Sequence, residues 1–137
     1  MLNYTNTLAV KEYCELRAAV QWQPIAEDQA QSGLDHSDFI VACRKADAIV
    51  GCARIFWDKG YIAYLADVMV KPEYQGRGIG KKLVQSCIDY IHNQLKEGWR
   101  IKIVIVSAKG KEGFYEKFGF QIRPNENDGA GMQIWCR

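Results

Sequence analysis

Proline and histidine are scarce in this sequence, with three and two residues among 137. With so few histidines, no Cys-x-x-Cys pair and no His-x-x-x-His spacing, no metal site is expected. Cysteine is present but odd in number: Cys14, Cys43, Cys52, Cys87 and Cys136. A short disulfide-stapled chain favours an even count, so the expectation is reduced thiols, mostly buried, in a cytoplasmic setting. The first 17 residues lack a charged stretch followed by an apolar run, so no secretory leader is expected. No apolar run approaches the roughly 20 residues of a membrane helix. Blocks of like charge are missing too, and the formal net charge is only +2, so neither nucleic acid nor a membrane surface is expected as a partner. Repeats and low-complexity tracts are absent.

What remains suits one compact domain over residues 1–137. Apolar residues make up 48% of the chain and charged ones 25%, enough of each for a core and a solvated surface. Residues 2–7 read as a strand and 8–21 as a helix carrying Leu8, Tyr13, Leu16 and Val20 on one face. A second short helix, stopped by Gly33, is expected within 24–37. Strands follow at 38–44, 49–57 and 61–70, with Pro72 ending the last. Ile79, Leu83, Val84, Cys87, Ile88, Ile91 and Leu95 form a helical stripe over 77–95, with Gly98 as a stop signal. Residues 101–106 read as a strand, 111–118 as a short helix, and 120–123 and 132–136 as final strands. The fold class is therefore α/β (α+β): a mixed, partly antiparallel sheet of six to seven strands flanked by about four helices.

The segment from Tyr64 to Val84 carries the chemistry. A strand runs into a turn containing Gly76, Gly78 and Gly80, and a long helix begins at once. The first amides of a helix lack partners within it and carry partial positive charge. Glycines let such a backbone close on a ligand, which makes an anion cradle suited to a phosphate or pyrophosphate, with Arg77, Lys81 and Lys82 adding charge. A dinucleotide fingerprint G-x-G-x-x-G fails, because Lys81 stands where the third glycine would fall, and no P-loop pattern occurs.

Gln75-Gly76-Arg77-Gly78-Ile79-Gly80 resembles the Q/R-x-x-G-x-G/A signature of the GNAT superfamily of N-acetyltransferases. Val68, Val70 and Pro72 before the turn match as well. Phe114-Tyr115-Glu116-Lys117-Phe118-Gly119-Phe120 resembles that family's later Y-x-x-x-G-F element. The resemblance covers nearly the whole chain. It implies a GNAT-like fold and acetyl-CoA as cosubstrate, with pyrophosphate bound by the backbone of Gln75, Gly76, Arg77, Gly78, Ile79, Gly80 and Lys81. It also implies main-chain contacts to the pantetheine arm from Val68, Met69 and Val70. Tyr115 matches the tyrosine that protonates the departing thiolate; the plainer account of it is core packing. The family often has an asparagine about seven residues before this tyrosine. Ala108 occupies that place, which leaves Ser107 and the local backbone as the expected substitutes.

For a general base the sequence offers Asp67 and Tyr64. Asp67 is a carboxylate in an apolar strand, open to two accounts: proton acceptor, or a hydrogen-bonding group that orients the neighbourhood. The implied reaction transfers an acetyl group to a primary amine of a small molecule. The alternative is a non-catalytic acyl-CoA sensor on the same fold. Family members often dimerise, so a homodimer with Trp135 at its interface is a further expectation. Trp22, Glu27, Asp28, Asp35, Phe56, Trp57, Glu126 and Asp128 are the residues expected near an acceptor.

Overall fold

The computed structural model describes residues 1–137. Its backbone divides into two compact units, Met1–Val104 and Ile105–Arg137. The elements in order are β1 (Leu2–Thr5), α1 (Val10–Ala19), α2 (Glu27–Asp35), β2 (Phe39–Lys45), β3 (Ala48–Trp57), β4 (Ile62–Val70), α3 (Ile79–His92), β5 (Lys102–Ile105) and α4 (Glu112–Glu116). A single 3-10 turn, Pro72–Tyr74, lies between β4 and α3.

The strands form one sheet in the order β1-β2-β3-β4-β5, and the first four pair antiparallel. The mixed architecture and four helices match the sequence expectation. The strand count is five instead of six or seven, because 120–123 and 132–136 form no ladder. A strand exists only where its N–H and C=O groups find a neighbouring strand; here no ladder forms, and the Ile122 carbonyl is taken by the Asn125 side chain. Two glycines also act differently from expectation. Gly33 lies inside α2, which continues to Asp35, and its carbonyl receives hydrogen bonds from Ser37 and Arg54. Gly98 adopts φ +80°, but α3 has already ended at His92.

The apolar stripe of α3 behaves as the spacing predicts. Ile79, Leu83, Val84, Cys87 and Ile91 are all buried. A Cβ on Gly51 would stand 2.9 Å from the Met69 carbonyl oxygen of the adjacent strand β4 and 3.2 Å from Leu83 Cδ1 of α3. Glycine at 51 is thus a packing requirement that fixes α3, and with it the start of that helix, against β3 and β4. On another flank, Tyr13 and Leu16 of α1 and Ala30 and Leu34 of α2 pack in a cluster with Ala42, Cys52 and Met69. β4 lies against β3 along its length, and just before it the Tyr61 carbonyl receives the Lys102 N–H at 2.6 Å.

In the second unit, α4 carries an aromatic cluster with edge-to-face rings: Phe114–Tyr115, Phe114–Phe118 and Tyr115–Phe120, at centroid distances of 4.9, 5.3 and 6.0 Å. Beyond it, Asn125 Oδ1 receives the N–H groups of Asn127 and Asp128, and Arg123 Nε donates to the Gly129 carbonyl, closing a small turn.

Candidate functional site

The connection from β4 to α3 is built almost wholly from backbone. Gly76 and Gly78 have φ of +78° and +82°, the left-handed region that favours glycine, and Gly78 is the N-cap of α3. A Cβ on either would meet nothing within 4 Å, so these glycines serve conformation and leave open space above the turn. None of the N–H groups of residues 76–81 has a hydrogen-bond partner within the protein, and the first internal bond runs from Lys82 N–H to the Gly78 carbonyl. No acidic side chain occupies the first turn of α3. Ile79 anchors the turn through its buried side chain, and Gln75 Nε2 donates to the Val70 carbonyl at 3.0 Å, tying the turn back to the end of β4. The Arg77 guanidinium lies 5.2 Å from the centre of the Tyr74 ring, and Lys82 Nζ lies 4.2 Å from that of Tyr4. The chemistry is that of a donor-only, cation-flanked cradle for an anion.

Upstream, β4 is kinked. Its pairing with β3 shifts register between Cys52 and Arg54, so that Cys52 faces Met69 while Arg54 faces Ala66. The extra residue falls at Asp67–Val68, and Asp67 takes φ +55°. Cys52 Sγ donates to the Asp67 carbonyl, and Val70 pairs with Gly51. Of the three residues expected to offer main-chain groups, Met69 has a buried side chain, while those of Val68 and Val70 are half-buried.

The Asp67 side chain is held by three residues from two elements, α1 and β3. Its Oδ2 receives the Tyr13 hydroxyl at 2.8 Å and Arg54 Nε at 2.6 Å, and Arg17 Nη1 stands 3.8 Å from Oδ1. Arg54 also donates through Nη1 to the Gly33 carbonyl and to Ser37 Oγ, both at 3.1 Å. Arg17 donates to the Gln23 carbonyl at 2.6 Å and lies over the Trp22 ring. Burial and the neighbouring Asp67 charge push the Tyr13 phenol up to about 12. Sequence reasoning found Asp67 and missed Tyr13, Arg17 and Arg54. The available signal was Arg54 itself, a cation inside the apolar run from Val50 to Phe56. Beside Arg54, Phe56 and Tyr64 stack at 5.1 Å, nearly parallel.

Two of the five acids expected near an acceptor have local side-chain partners, and a third joins a turn through its backbone. Asp35 receives Gln31 Nε2, Asp28 receives the Gln29 N–H, and Asp128 belongs to the turn closed by Asn125. Trp57 donates its indole N–H to the Gly60 carbonyl.

Tyr115 and Ser107 belong to the second unit. Tyr115 is buried in the aromatic cluster, and burial pushes its phenol up to about 12. Ser107 Oγ donates to the Ala108 carbonyl at 2.8 Å. The structure therefore gathers Val68, Met69, Val70 and Gln75–Lys81 along one β4–turn–α3 path and joins Asp67 to α1, α2 and β3.

Comparison with known proteins agrees with this arrangement. The family model described as an acetyltransferase (GNAT) domain matches residues 35–122, more than half of the chain. The uncharacterized N-acetyltransferase ycf52 of Porphyra purpurea is 29% identical over 98% of this chain and 75% of its own. Among solved structures, a meticillin-resistant Staphylococcus aureus protein described as a "probable acetyltransferase" is 28% identical and superposes with a TM-score of 0.88, over 99% of this chain and 100% of its own. A GNAT family acetyltransferase from Streptococcus pneumoniae is 27% identical, with a TM-score of 0.76 over 100% and 97% of the two chains. A kinked fourth strand leading through a glycine turn into a helix, in a chain matched by that model over most of its length, places the protein in the GNAT acetyltransferase family.

Proposed function

We propose that the protein transfers the acetyl group of acetyl-CoA to a primary amine of a small molecule, by direct attack in a ternary complex. The observation that carries this reading is the run of amides at 76–81, unpartnered within the protein, at the head of α3 and directly after β4. The open space above Gly76 and Gly78, with no acidic side chain in the helix's first turn, suits the pyrophosphate of coenzyme A. In this reading Gln75, Gly76, Arg77, Gly78, Ile79, Gly80 and Lys81 hold the pyrophosphate, with Gln75 also fixing the turn to β4. Val68, Met69 and Val70 offer main-chain groups to the pantetheine arm, and Ser107 stands in for the family asparagine replaced by Ala108.

The chemistry then needs two proton movements. The neutral amine attacks the thioester carbonyl carbon and the C–S bond breaks. The proton shed by nitrogen balances the one gained by sulfur. Tyr115 is the proposed donor to the departing sulfur. With its phenol raised to about 12 it stays protonated throughout neutral pH. A thiol, ordinarily about 8.5, is the stronger acid, so transfer from the phenol is uphill and is completed as the phenolate regains, by way of solvent, the proton that nitrogen sheds. Asp67 is the proposed acceptor of that proton through Oδ1, since Oδ2 already receives two hydrogen bonds.

The test is calorimetric titration with acetyl-CoA followed by thiol release against a panel of amines. Saturable binding with release for one amine is expected. Binding without release from any amine points to the acyl-CoA sensor, and no binding overturns the cradle. Tyr115→Phe is expected to lower turnover about tenfold, with acetyl-CoA affinity close to that of the native protein. Unchanged turnover would show that another group protonates the sulfur.

A further inference from the structure

Two arginines face one carboxylate in the Asp67 network. Arg54 Nε lies 2.6 Å from Oδ2 and Arg17 Nη1 lies 3.8 Å from Oδ1, and neither guanidinium has a second acidic partner. All three side chains are largely buried, with relative exposures of 18% for Arg54, 15% for Arg17 and 12% for Asp67. One arginine balances one carboxylate. The second leaves a positive charge over, in a place where water screens it less than on an open surface. The chain itself supplies no counter-ion for it.

The hydrogen-bond donors show the same surplus. Arg54 gives Nε to Asp67, and Nη1 to the Gly33 carbonyl and Ser37 Oγ. Its Nη2 finds no acceptor in the chain and is not buried. Arg17 Nε is buried and has no acceptor at all. Unpaired donors of this kind are uncommon in a folded protein.

Aromatic rings stand beside both cations. The Arg54 guanidinium lies 5.5 Å from the centre of the Phe56 ring, which stacks on Tyr64, and Arg17 lies 5.5 Å from the centre of Trp22. Arg54 and Phe56 are two positions apart on β3, so they share a face of the sheet, and Phe56 is 39% exposed. An open guanidinium nitrogen beside an exposed ring offers an anion charged donors and offers the rest of a small ligand a flat apolar surface.

We propose that the amine received beside Asp67 also carries an anionic group, a carboxylate or a phosphate, which Arg54 binds through Nη2 while Arg17 supplies the balancing charge. That this ligand is an acetyl acceptor rests on the acyl-transfer reading; the site itself uses none of the residues of the glycine cradle. Arg54 and Arg17 are then specificity-determining residues. They favour an amine with an attached anion over a simple cationic amine, which meets like charge. The same positive charge favours the neutral, nucleophilic form of the amine nitrogen.

The test compares matched amines: phenylalanine with phenylalaninamide, and O-phosphoethanolamine with ethanolamine. Calorimetry on the full chain in the presence of coenzyme A reads binding, and thiol release from acetyl-CoA is followed separately. The anionic member of at least one pair is expected to bind about tenfold or more tighter than its counterpart, and which pair responds separates carboxylate from phosphate. Arg54→Lys keeps a cation near Asp67 but loses the planar fork, and Arg17→Gln removes the surplus charge. Each should weaken the anionic member about tenfold or more and its counterpart far less, so that the preference within the pair collapses while circular dichroism stays that of the native chain. A general loss of folding would weaken both members alike. Equal or absent binding within both pairs overturns the proposal, whatever thiol release shows. So does a preference that survives both variants, because the anion would then sit elsewhere. A preference in binding with no thiol release from any of the four amines would count against the acyl-transfer reading and leave the ligand class standing.

Discussion

The glycine turn at 75–81 and the kink at Asp67 lie in one stretch of chain, and both bend it through left-handed backbone. They are built by opposite means. At Gly76 and Gly78 that conformation is nearly free, no side chain intrudes, and the amides are left for something outside the protein. At Asp67 it costs on the order of 1 kcal/mol for a residue with a Cβ, even one of the types that tolerate it best. The kink is held by Tyr13, Arg54 and Arg17, reaching in from other elements. A turn made of backbone keeps its polar groups free for a ligand, whereas a kink held by side chains spends them on rigidity.

The largest expected effect tests the first half of that contrast. Gly78→Glu places a β-carbon at φ +82° and a negative charge among the unpartnered amides. Acetyl-CoA affinity should fall by about a hundredfold or more in calorimetry, from strain and like-charge repulsion together. An unchanged affinity would remove the cradle. The next effect tests the second half. Arg54→Met deletes the 2.6 Å donor to Asp67 and the two bonds to Gly33 and Ser37. A part-buried carboxylate that loses a charged partner should cost about 2 kcal/mol, read as a melting temperature lower by roughly 6–8 °C. If melting is unchanged, the network does not hold the kink.

The same contrast explains what could be read in the sequence. The turn is local: three alternating glycines, a buried Ile79 and the stripe of α3 lie together in the chain, so periodicity and spacing were sufficient. The network is not local. Tyr13 and Asp67 are separated by 54 residues, and no pattern within a strand or helix announces that a phenol on α1 will meet a carboxylate on β4. The kink itself is a register shift, set by how β3 and β4 pair. The tail failed for a related reason. Residues 132–136 have strand-like alternation, but alternation states only that two faces differ and says nothing of whether a neighbouring strand will be there to pair with. Gly33 misled because glycine only weakens a helix: α2 runs on to Asp35, and the Gly33 carbonyl accepts bonds from Ser37 and Arg54.

A smaller change separates the two roles of Asp67. Asp67→Asn keeps a short side chain that tolerates left-handed backbone and can still accept the Tyr13 hydroxyl, but it cannot take up a proton. Stability should fall by about 1 kcal/mol, from the weakened bond to Arg54. If Oδ1 accepts the amine's proton, thiol release should slow at least about tenfold while acetyl-CoA affinity holds, because the cradle's amides lie elsewhere. Unchanged release would assign proton uptake to water and leave Asp67 with positioning alone.

The smallest expected effect isolates one bond of the network. Tyr13→Phe removes the 2.8 Å hydrogen bond to Asp67 Oδ2 and leaves the ring in place, at a cost of about 1 kcal/mol. Its clearest signature lies at alkaline pH. The folded chain holds the Tyr13 phenol at about 12, against an ordinary value of 10.0. Between those values the unfolded chain has released that proton and the folded chain has kept it. The contribution of this phenol is therefore fully present below pH 10 and is lost as pH rises toward 12. Tyr4 and Tyr115, also raised to about 12, add losses in the same window. Denaturant melts from pH 9 to 11.5 should show native stability falling with pH and the variant's falling less steeply. The gap between the two proteins should thus narrow as the solution becomes more alkaline. Parallel slopes would mean that the Tyr13 proton is not held by the fold, and the kink would then rest on its two arginines.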